Sequence, residues 1–422
     1  MWVNEERQKQ APLRQRGPQM RERPAEPRVA PRTLAGATIL QIVPALREEP
    51  QARTALNVAF MLLQAGGRAL IAGRDGPLVG ELKAYGGEWI PLAADTNNPL
   101  TLRRNVRNIE SLIGAERIDI IHAQCAGGAW SARRAAAKIA VWLVTTLPDV
   151  PPASSGESRR TVGDLAQGDR IIAPSNYAAT PVMQRYRIPR ERITVIPRTV
   201  DTALFDPVAV HPNRLDDLRH AWRISPSQRI VLAPGRVAPW NGQLLLPDVA
   251  LALADQGHRD VVFVIVGENQ QHRRYAHTIL QQAQAKGVDA LFRITGHCPD
   301  MPAAFAAADI VVVPAVEAPV FGRVVAQAQA MGKPVITSDV GVLPEYVVVP
   351  PHLPEDVRTG WISAKGDPLD FARALALALE LDQEGYQAMS ARAREFADYM
   401  FSPNSVAVAT RAVYISLLAR EL

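Results

Sequence analysis

The stretch FRITGHCPDMPAAFAAADIVVVPAVEAPVFGRVVAQAQAMGKPVITSDVG, residues 292–341, decides the fold class. Three short runs rich in Val and Ile (FRIT, DIVVV and KPVIT) alternate in it with two Ala-rich runs of helical spacing. Short apolar runs bounded by turn residues are typical of buried strands. Strands that alternate with helices in this way predict βαβ units, and therefore a parallel sheet covered by helices.

The same alternation extends through most of the chain. Before this stretch, QRIVLAPGR and DVVFVIVGE predict strands, while LLLPDVALALADQ and HTILQQAQAKG predict helices. From residue 37, ATILQIVPAL, RALIAG, EWIPL, IDIIH and DRIIAPS predict a further series of strands, with helices between them that include 100–114. The alternation pauses at RITVIPRTVDTALFDP, 192–207, which indicates a linker between two doubly wound α/β domains.

Length and composition predict how the chain divides. A chain of 422 residues is too long for one ordinary core, so two domains are expected. The predicted division is a disordered basic tail at 1–35, domains at 36–200 and 201–395, and a C-terminal helix at 396–422 that packs back toward the first domain. The tail is assigned as disordered because it is rich in Pro, Arg, Glu and Gln and poor in apolar residues.

Charge and cysteine usage exclude several classes of protein. The formal net charge is +5, but the tail holds eight Arg or Lys and four Asp or Glu, so the remainder is close to neutral. A near-neutral body disfavours a nucleic-acid partner, although a basic tail also suits weak contact with the inner face of an anionic membrane. The two cysteines, Cys125 and Cys298, lie far apart and suit a reducing, cytoplasmic location with no metal site. No apolar stretch is long enough for a spanning helix, and no G-x-G-x-x-G follows a first strand, which disfavours a dehydrogenase.

Five segments together resemble one known family, the family-four (GT4-like) retaining glycosyltransferases. They are AYGGEWIPLAADTNNPL (84–100), IDIIHAQCAGGAWSA (118–132), VIPRTVDTALFDP (195–207), QRIVLAPGRVAPWNGQLLLPDVALAL (228–253) and the stretch quoted first. They occur in the family's order and the resemblance extends over residues 37–415. It implies the GT-B fold, in which two Rossmann-like domains face each other across a cleft.

The resemblance also implies an activity. A hexose-type sugar would pass from a nucleotide diphosphate sugar to a glycan or lipid-linked acceptor, such as a cell-envelope polysaccharide, with retention and without a metal ion. The leaving diphosphate then needs cations and backbone N–H groups around it. Glu317 and His122 are the candidate catalytic residues. The positions expected to contact the donor are Arg236, Asn241, Gly296, Phe321, Gly322, Arg323, Gln327 and Gly341.

Several of these positions depart from the family's pattern. Asn241 stands where the family has a phosphate-binding Lys, and Gln327 stands where it has a ribose-binding Glu. The other carboxylate of the signature is displaced to Glu317. The loop 47–51, Arg-Glu-Glu-Pro-Gln, replaces a Gly-rich loop, and its carboxylates would repel a phosphate. Pro148 replaces the catalytic His. These substitutions leave turnover open.

Two other interpretations of the whole chain remain. A noncatalytic paralogue, acting as partner or regulatory subunit of an active glycosyltransferase, would explain the altered positions. A clamshell sensor of a small sugar would have the same fold. Individual residues have ordinary alternatives as well. Arg236 and Arg323 are alternatively surface arginines with no ligand, and Glu317 a solvated carboxylate of a loop. Gln327 is alternatively an ordinary helix residue, and His122 a structural histidine whose hydrogen bonds are satisfied within the protein.

Overall fold

The computed structural model describes residues 33–149, 162–268, 272–318, 322–350 and 357–420. Most of the predicted basic tail therefore lies outside the described residues, as does Phe321. Within the described part, none of the helices combines the length and the apolar character that crossing a bilayer requires.

The first half of the chain forms a parallel sheet of seven strands in the order β3-β2-β1-β4-β5-β6-β7. Its strands are β1 Thr38–Ala45, β2 Arg68–Arg74, β3 Glu88–Pro91, β4 Ile120–Ala123, β5 Trp142–Thr146, β6 Arg170–Ala173 and β7 Ile193–Val195. Its helices are α1 Pro50–Gln64, α2 Leu78–Ala84, α3 Pro99–Ala115, α4 Ala126–Ala136 and α5 Asn176–Tyr186. The strands are apolar and mostly buried, because helices cover both faces of the sheet.

The second half forms a parallel sheet of six strands in the order β10-β9-β8-β11-β12-β13. Its strands are β8 Arg229–Pro234, β9 Val261–Val266, β10 Phe292–Gly296, β11 Ile310–Val313, β12 Val335–Ser338 and β13 Gly360–Ser363. Its helices are α6 Pro212–Ala221, α7 Leu246–Asp255, α8 Arg273–Ala285, α9 Met301–Ala307, α10 Arg323–Ala330, α11 Pro368–Leu379 and α12 Gln383–Phe401. Both sheets begin in the middle, extend to one edge and then return past the first strand, which is the Rossmann order.

The predicted linker at 192–207 is wrong over its first residues. Ile193–Val195 is strand β7, and it pairs in parallel with β6 at the edge of the first sheet. A strand of three residues that is followed closely by a proline has too few positions to show a periodic pattern. The passage between the domains therefore begins after β7.

The chain returns to the first domain through its last helix. Helix α12 ends at Phe401, and Ser402 caps helix α13, Pro403–Leu418, by accepting a hydrogen bond from the Ser405 amide at 3.2 Å. Helix α13 packs against α1 and buries Tyr414 completely in the core of the first domain. The predicted start of the returning helix, residue 396, lies inside α12.

Candidate functional site

The loops that follow β8 and β11 meet at the switch point of the second sheet. β8 and β11 are neighbours, and the chain leaves them in opposite directions, which opens a crevice at their carboxyl ends. The carbonyl of Trp240, in the β8 loop, accepts hydrogen bonds from the amides of Val316 at 2.9 Å and Glu317 at 3.1 Å. The segments that carry Arg236, Asn241 and Glu317 are thereby joined directly.

Glycines allow these loops to pack closely. Gly242 has a φ of 69°, and a Cβ there would overlap the carbonyl oxygen of Pro314 in the β11 loop. A Cβ at Gly267, which follows β9, would overlap the carbonyl oxygen of Gly235. The loop after β8 is therefore held on both sides by backbone that has no room for a side chain.

Asn241 braces the loop that presents Arg236. Its Nδ2 donates to the Arg236 carbonyl at 2.7 Å, and the Nε2 of Gln243 donates to the same oxygen at 2.9 Å. The Arg236 residue is exposed at the mouth of the crevice. Gln243 is buried, and within the described part of the chain its Oε1 has no hydrogen-bond partner. An unpaired buried acceptor costs about 1–3 kcal/mol, so this oxygen is suited to a donor group from water or a ligand.

The start of helix α10 faces the first domain. A Cβ at Gly322 would lie 2.7 Å from Cδ1 of Tyr346, so only glycine lets that ring lie against the backbone. Arg323 and Gln327 are one turn apart and both line a cavity of about 640 Å³. The first domain contributes Glu48 and Arg53 to the same cavity. The predicted contacts on α10 therefore face a space shared by both domains.

The two carboxylates of the loop 47–51 do not both add free negative charge to this cavity. Arg53 pairs with Glu48 at 2.7 Å and with Glu81 at 2.7 Å. Burial lowers the pKa of its guanidinium, but the two carboxylates together outweigh burial, so the pKa is raised. Sequence analysis missed this pairing, although the spacing of Glu48 and Arg53 across the start of a helix was a usable signal. The expected repulsion of a phosphate by this loop is therefore reduced.

A second ion pair lies beside Pro148, the position at which the resemblance implied a His. Asp149 follows Pro148 and binds Arg198 of the interdomain passage at 2.7 Å, with both side chains largely buried. Arg323 is close enough to feel the Asp149 charge, which opposes the lowering of the Arg323 pKa by burial. The positive charge of Arg323 thus lies near the meeting point of the two domains.

His122 lies in the core of the first domain and not at an open surface. Its Nδ1 is 2.7 Å from the Tyr414 hydroxyl and its Nε2 is 2.7 Å from Oγ1 of Thr146. Burial, with a smaller contribution from Arg198, lowers the pKa of His122 to about 3. A neutral imidazole donates through one nitrogen and accepts through the other, which fits two hydroxyl partners. The arrangement favours the structural interpretation, in which His122 joins the last helix to the sheet.

Glu345 joins the domains by capping a helix of the first domain. Its Oε2 accepts from the Asn176 amide at 2.7 Å and from Asn176 Nδ2 at 3.1 Å, and its Oε1 accepts from the Tyr177 amide at 2.7 Å. These are the first residues of α5, where amide groups have no partner inside the helix and carry partial positive charge. Sequence analysis missed this interdomain role of Glu345, whose partners lie 168 and 169 positions away.

The two remaining predicted positions are turn glycines. Gly296 ends β10 with a φ of 73°, and its carbonyl accepts from the Gly267 amide at 2.8 Å. Gly341 follows β12 with a φ of 62°. Both conformations are rare for other residues, so each glycine suits a turn at the end of its strand, while contact with a donor stays a prediction.

These observations define the class of protein. Two facing Rossmann-like domains of seven and six parallel strands, with a last helix that returns to the first domain, form the GT-B fold. Residues 51–204 match the model of "Glycosyltransferase Family 4", and residues 228–380 match that of "Glycosyl transferases group 1". The two matches together span most of the chain, one on each domain. The chain belongs to the GT4-type glycosyltransferase family.

Similar proteins include solved structures that cover nearly the whole chain. A glycosyltransferase from Rickettsia africae is 25% identical with a TM-score of 0.73, over 91% of this chain and 99% of that one. Anabaena HepE, solved with UDP, is 21% identical with a TM-score of 0.67, over 90% of this chain and 100% of that one. At 21% identity, the similarity to HepE shows only that the two proteins share a fold.

Curated relatives match over shorter segments. D-inositol 3-phosphate glycosyltransferase of Segniliparus rotundus is 30% identical over 45% of this chain and 42% of its own length. The enzyme of the same name from Nocardia farcinica is 28% identical over 56% of this chain and 50% of its own length. The chain thus spans about half the length of the curated relatives it matches.

Proposed function

We propose that the protein transfers a hexose-type sugar from a nucleotide diphosphate sugar to a glycan or lipid-linked acceptor, with retention and without a metal ion. The observation that carries this proposal is the junction of the β8 and β11 loops. It holds the exposed Arg236 beside the segment of Glu317, at the switch point where ligands of such sheets bind. Membership of the GT4-type family supports the same activity.

The donor diphosphate would be held by Arg236 and by backbone amides. A guanidinium presents paired N–H groups that match phosphate oxygens, and the start of α10 adds partial positive charge. Asn241 supplies no charge, but it keeps the Arg236 loop in place through the Arg236 carbonyl. Gln327, in the cavity between the domains, would accept a hydrogen bond from the ribose. Glu317, and not the enclosed His122, is the side chain we assign to the donor sugar.

Nucleotide binding is the first test. Purified protein is titrated calorimetrically with UDP, GDP and UDP-glucose, in parallel with Arg236→Ala and Arg259→Ala. Arg259 is an exposed arginine just before β9, at the opposite end of the sheet, and serves as a matched control. Micromolar binding that Arg236→Ala abolishes and Arg259→Ala retains would support the proposal. Lack of binding to every nucleotide would reject it and leave the noncatalytic partner as the working hypothesis.

Retention and metal independence need separate measurements. The anomeric configuration of the product, read from its one-bond and vicinal NMR couplings, should equal that of the donor. Activity should be unchanged after treatment with a chelator, because we assign charge compensation to arginine and backbone amides. Cys125 and Cys298 are free thiols, which fits our proposal that the reaction takes place in the reducing cytoplasm.

A further inference from the structure

A groove of about 810 Å³ runs along helix α4 in the first domain, apart from the donor crevice. It begins beside Ala126 and Gly127, the first residues of α4, which follows β4. β4 and β1 are neighbours at the switch point of the first sheet, so the groove opens where this sheet would receive a ligand. The lining residues that the structure describes belong to the first domain.

Two arginines in this groove share one carboxylate. Asp164 Oδ1 lies 2.7 Å from Nε of Arg133 and 3.6 Å from Nη1 of Arg134. Burial and the neighbouring charge of Arg133 lower the pKa of Arg134, and the opposing effect of Asp164 does not offset them. Among the described lining residues, the groove therefore carries two guanidinium groups and one carboxylate.

Trp130 holds the second arginine in position. The Arg134 guanidinium lies 3.5 Å from the centroid of the Trp130 ring, and its Nη1 donates to the Trp130 carbonyl at 3.1 Å. A guanidinium stacked on an indole keeps the N–H groups along its edge available for an anion, and little further side-chain entropy is lost when the anion binds. Asn97 and Gln167 add amide groups to the same groove.

The start of α4 adds to this positive character. Its N-cap residue, Cys125, offers the first turn only a thiol, which is a weak hydrogen-bond acceptor. Amides at a helix start without a strong side-chain cap favour an anion, and they lie at one end of a groove that already contains the arginine pair. The arginine pair, the stacking of Arg134 on Trp130 and the start of α4 thus all favour a negatively charged ligand.

We propose that this groove binds the phosphate group of an anionic acceptor, with Arg133 and Arg134 as its ligands and Trp130 as the residue that positions Arg134. This inference rests on the proposed glycosyltransferase function, because it assigns the acceptor to the first domain. A phosphate brings a charge of about −1.5 to −2 at neutral pH and three acceptor oxygens, which suits two adjacent guanidinium groups. The phosphate belongs either to a soluble sugar or polyol phosphate or to the head of a lipid.

The test compares phosphorylated and unphosphorylated probes on the full chain. Glucose 6-phosphate, glucose and inorganic phosphate are titrated calorimetrically, and vesicles of phosphatidylglycerol and phosphatidylcholine are tested by co-sedimentation. The variants are Arg134→Gln, Arg134→Lys and the control Arg107→Gln, an exposed arginine of α3 that does not line the groove. UDP is titrated against each variant, and thermal unfolding checks that each one is folded.

We expect glucose 6-phosphate to bind and glucose not to bind, with Arg134→Gln weakening the complex by roughly 10- to 100-fold. The affinity of Arg134→Lys for glucose 6-phosphate should lie between the affinities of wild type and Arg134→Gln. If the Gln variant does not fold, the Lys variant provides the comparison with wild type. Vesicle binding that depends on Arg134 without binding of the soluble phosphate would identify a lipid source for the same group.

Equal affinity of wild type and Arg134→Gln for every anionic probe would overturn the proposal. The UDP titrations separate this outcome from failure of the proposed function. UDP binding without phosphate binding rejects the groove alone, whereas Arg134-dependent phosphate binding without UDP binding rejects the transferase and retains the groove.

Discussion

Acidification should destabilise the first domain through His122. The unfolded chain has the ordinary histidine pKa of 6.5, whereas burial lowers the folded pKa to about 3. Between these values the unfolded chain binds a proton that the folded chain does not, so stability falls as the pH falls through this range. From about pH 7.5 to about pH 5.5 the expected loss from this one group is about 1.4 kcal/mol. For a domain of this size that corresponds to roughly 3–5 °C in the unfolding midpoint.

The assay is thermal unfolding of wild type, His122→Gln and His220→Gln at both pH values. Glutamine retains a donor and an acceptor but does not titrate, and His220 is an exposed histidine of α6 that serves as the control. At the higher pH His122→Gln should be less stable by about 1–2 kcal/mol, because its bonds to Tyr414 and Thr146 are imperfect. On acidification, the free energy of unfolding of His122→Gln should fall by about 1.4 kcal/mol less than that of wild type. An identical acid-induced loss in wild type and His122→Gln would refute the reasoning.

The other predictions concern the crevice and the contact between the domains. Gly242→Ala should cost about 1–3 kcal/mol and abolish UDP binding, because the left-handed backbone and the Pro314 carbonyl leave no room for a methyl group; unchanged calorimetry would contradict this. Glu345→Ala should remove about 1–2 kcal/mol from the start of α5. Hydrogen exchange at Asn176 and neighbouring amides should then become roughly 5- to 30-fold faster, and unchanged protection would exclude the cap. Gln327→Glu should tighten UDP binding by roughly 5- to 10-fold, since a charged acceptor bonds the ribose more strongly; weaker binding would argue against a ribose contact.

Most of the fold can be predicted from the sequence, because most helices and strands produce a pattern among residues that are close together along the chain. Most of the buried strands are short apolar runs, and several are rich in Val and Ile, such as β9 and β11. Helix α3 was expected over 100–114 and spans Pro99–Ala115. Its start is marked by Asn98, whose side chain accepts from the Leu100 amide at 2.9 Å, with proline in the first turn. The break between α12 and α13 has a similar signal in Ser402 and Pro403, which a continuous helical pattern concealed.

The candidate site is harder to predict from the sequence, because its contacts join residues that are far apart along the chain. Glu345 meets Asn176 across 169 positions, and no local spacing encodes such a pair. His122 shows the same limit, since its place at the end of β4 predicted a cleft residue. Tyr414, 292 positions away, encloses it instead. Position on a strand indicates which edge a residue occupies, but the packing of later elements decides whether the edge stays open.

The altered positions acquire a different meaning once their partners are known. As a substituted lysine, Asn241 is only a lost charge, yet its Nδ2 fixes the carbonyl of the residue that we assign to the diphosphate. The acidic loop before α1 is unfavourable for a phosphate as a sequence, yet Arg53 pairs with Glu48 and with Glu81 at 2.7 Å, which offsets part of the negative charge. Under our proposal, charge compensation depends mainly on Arg236 and the backbone amides beside it. Because few groups share this role, the loss of Arg236 should reduce nucleotide binding and turnover more than the loss of one cation among several would.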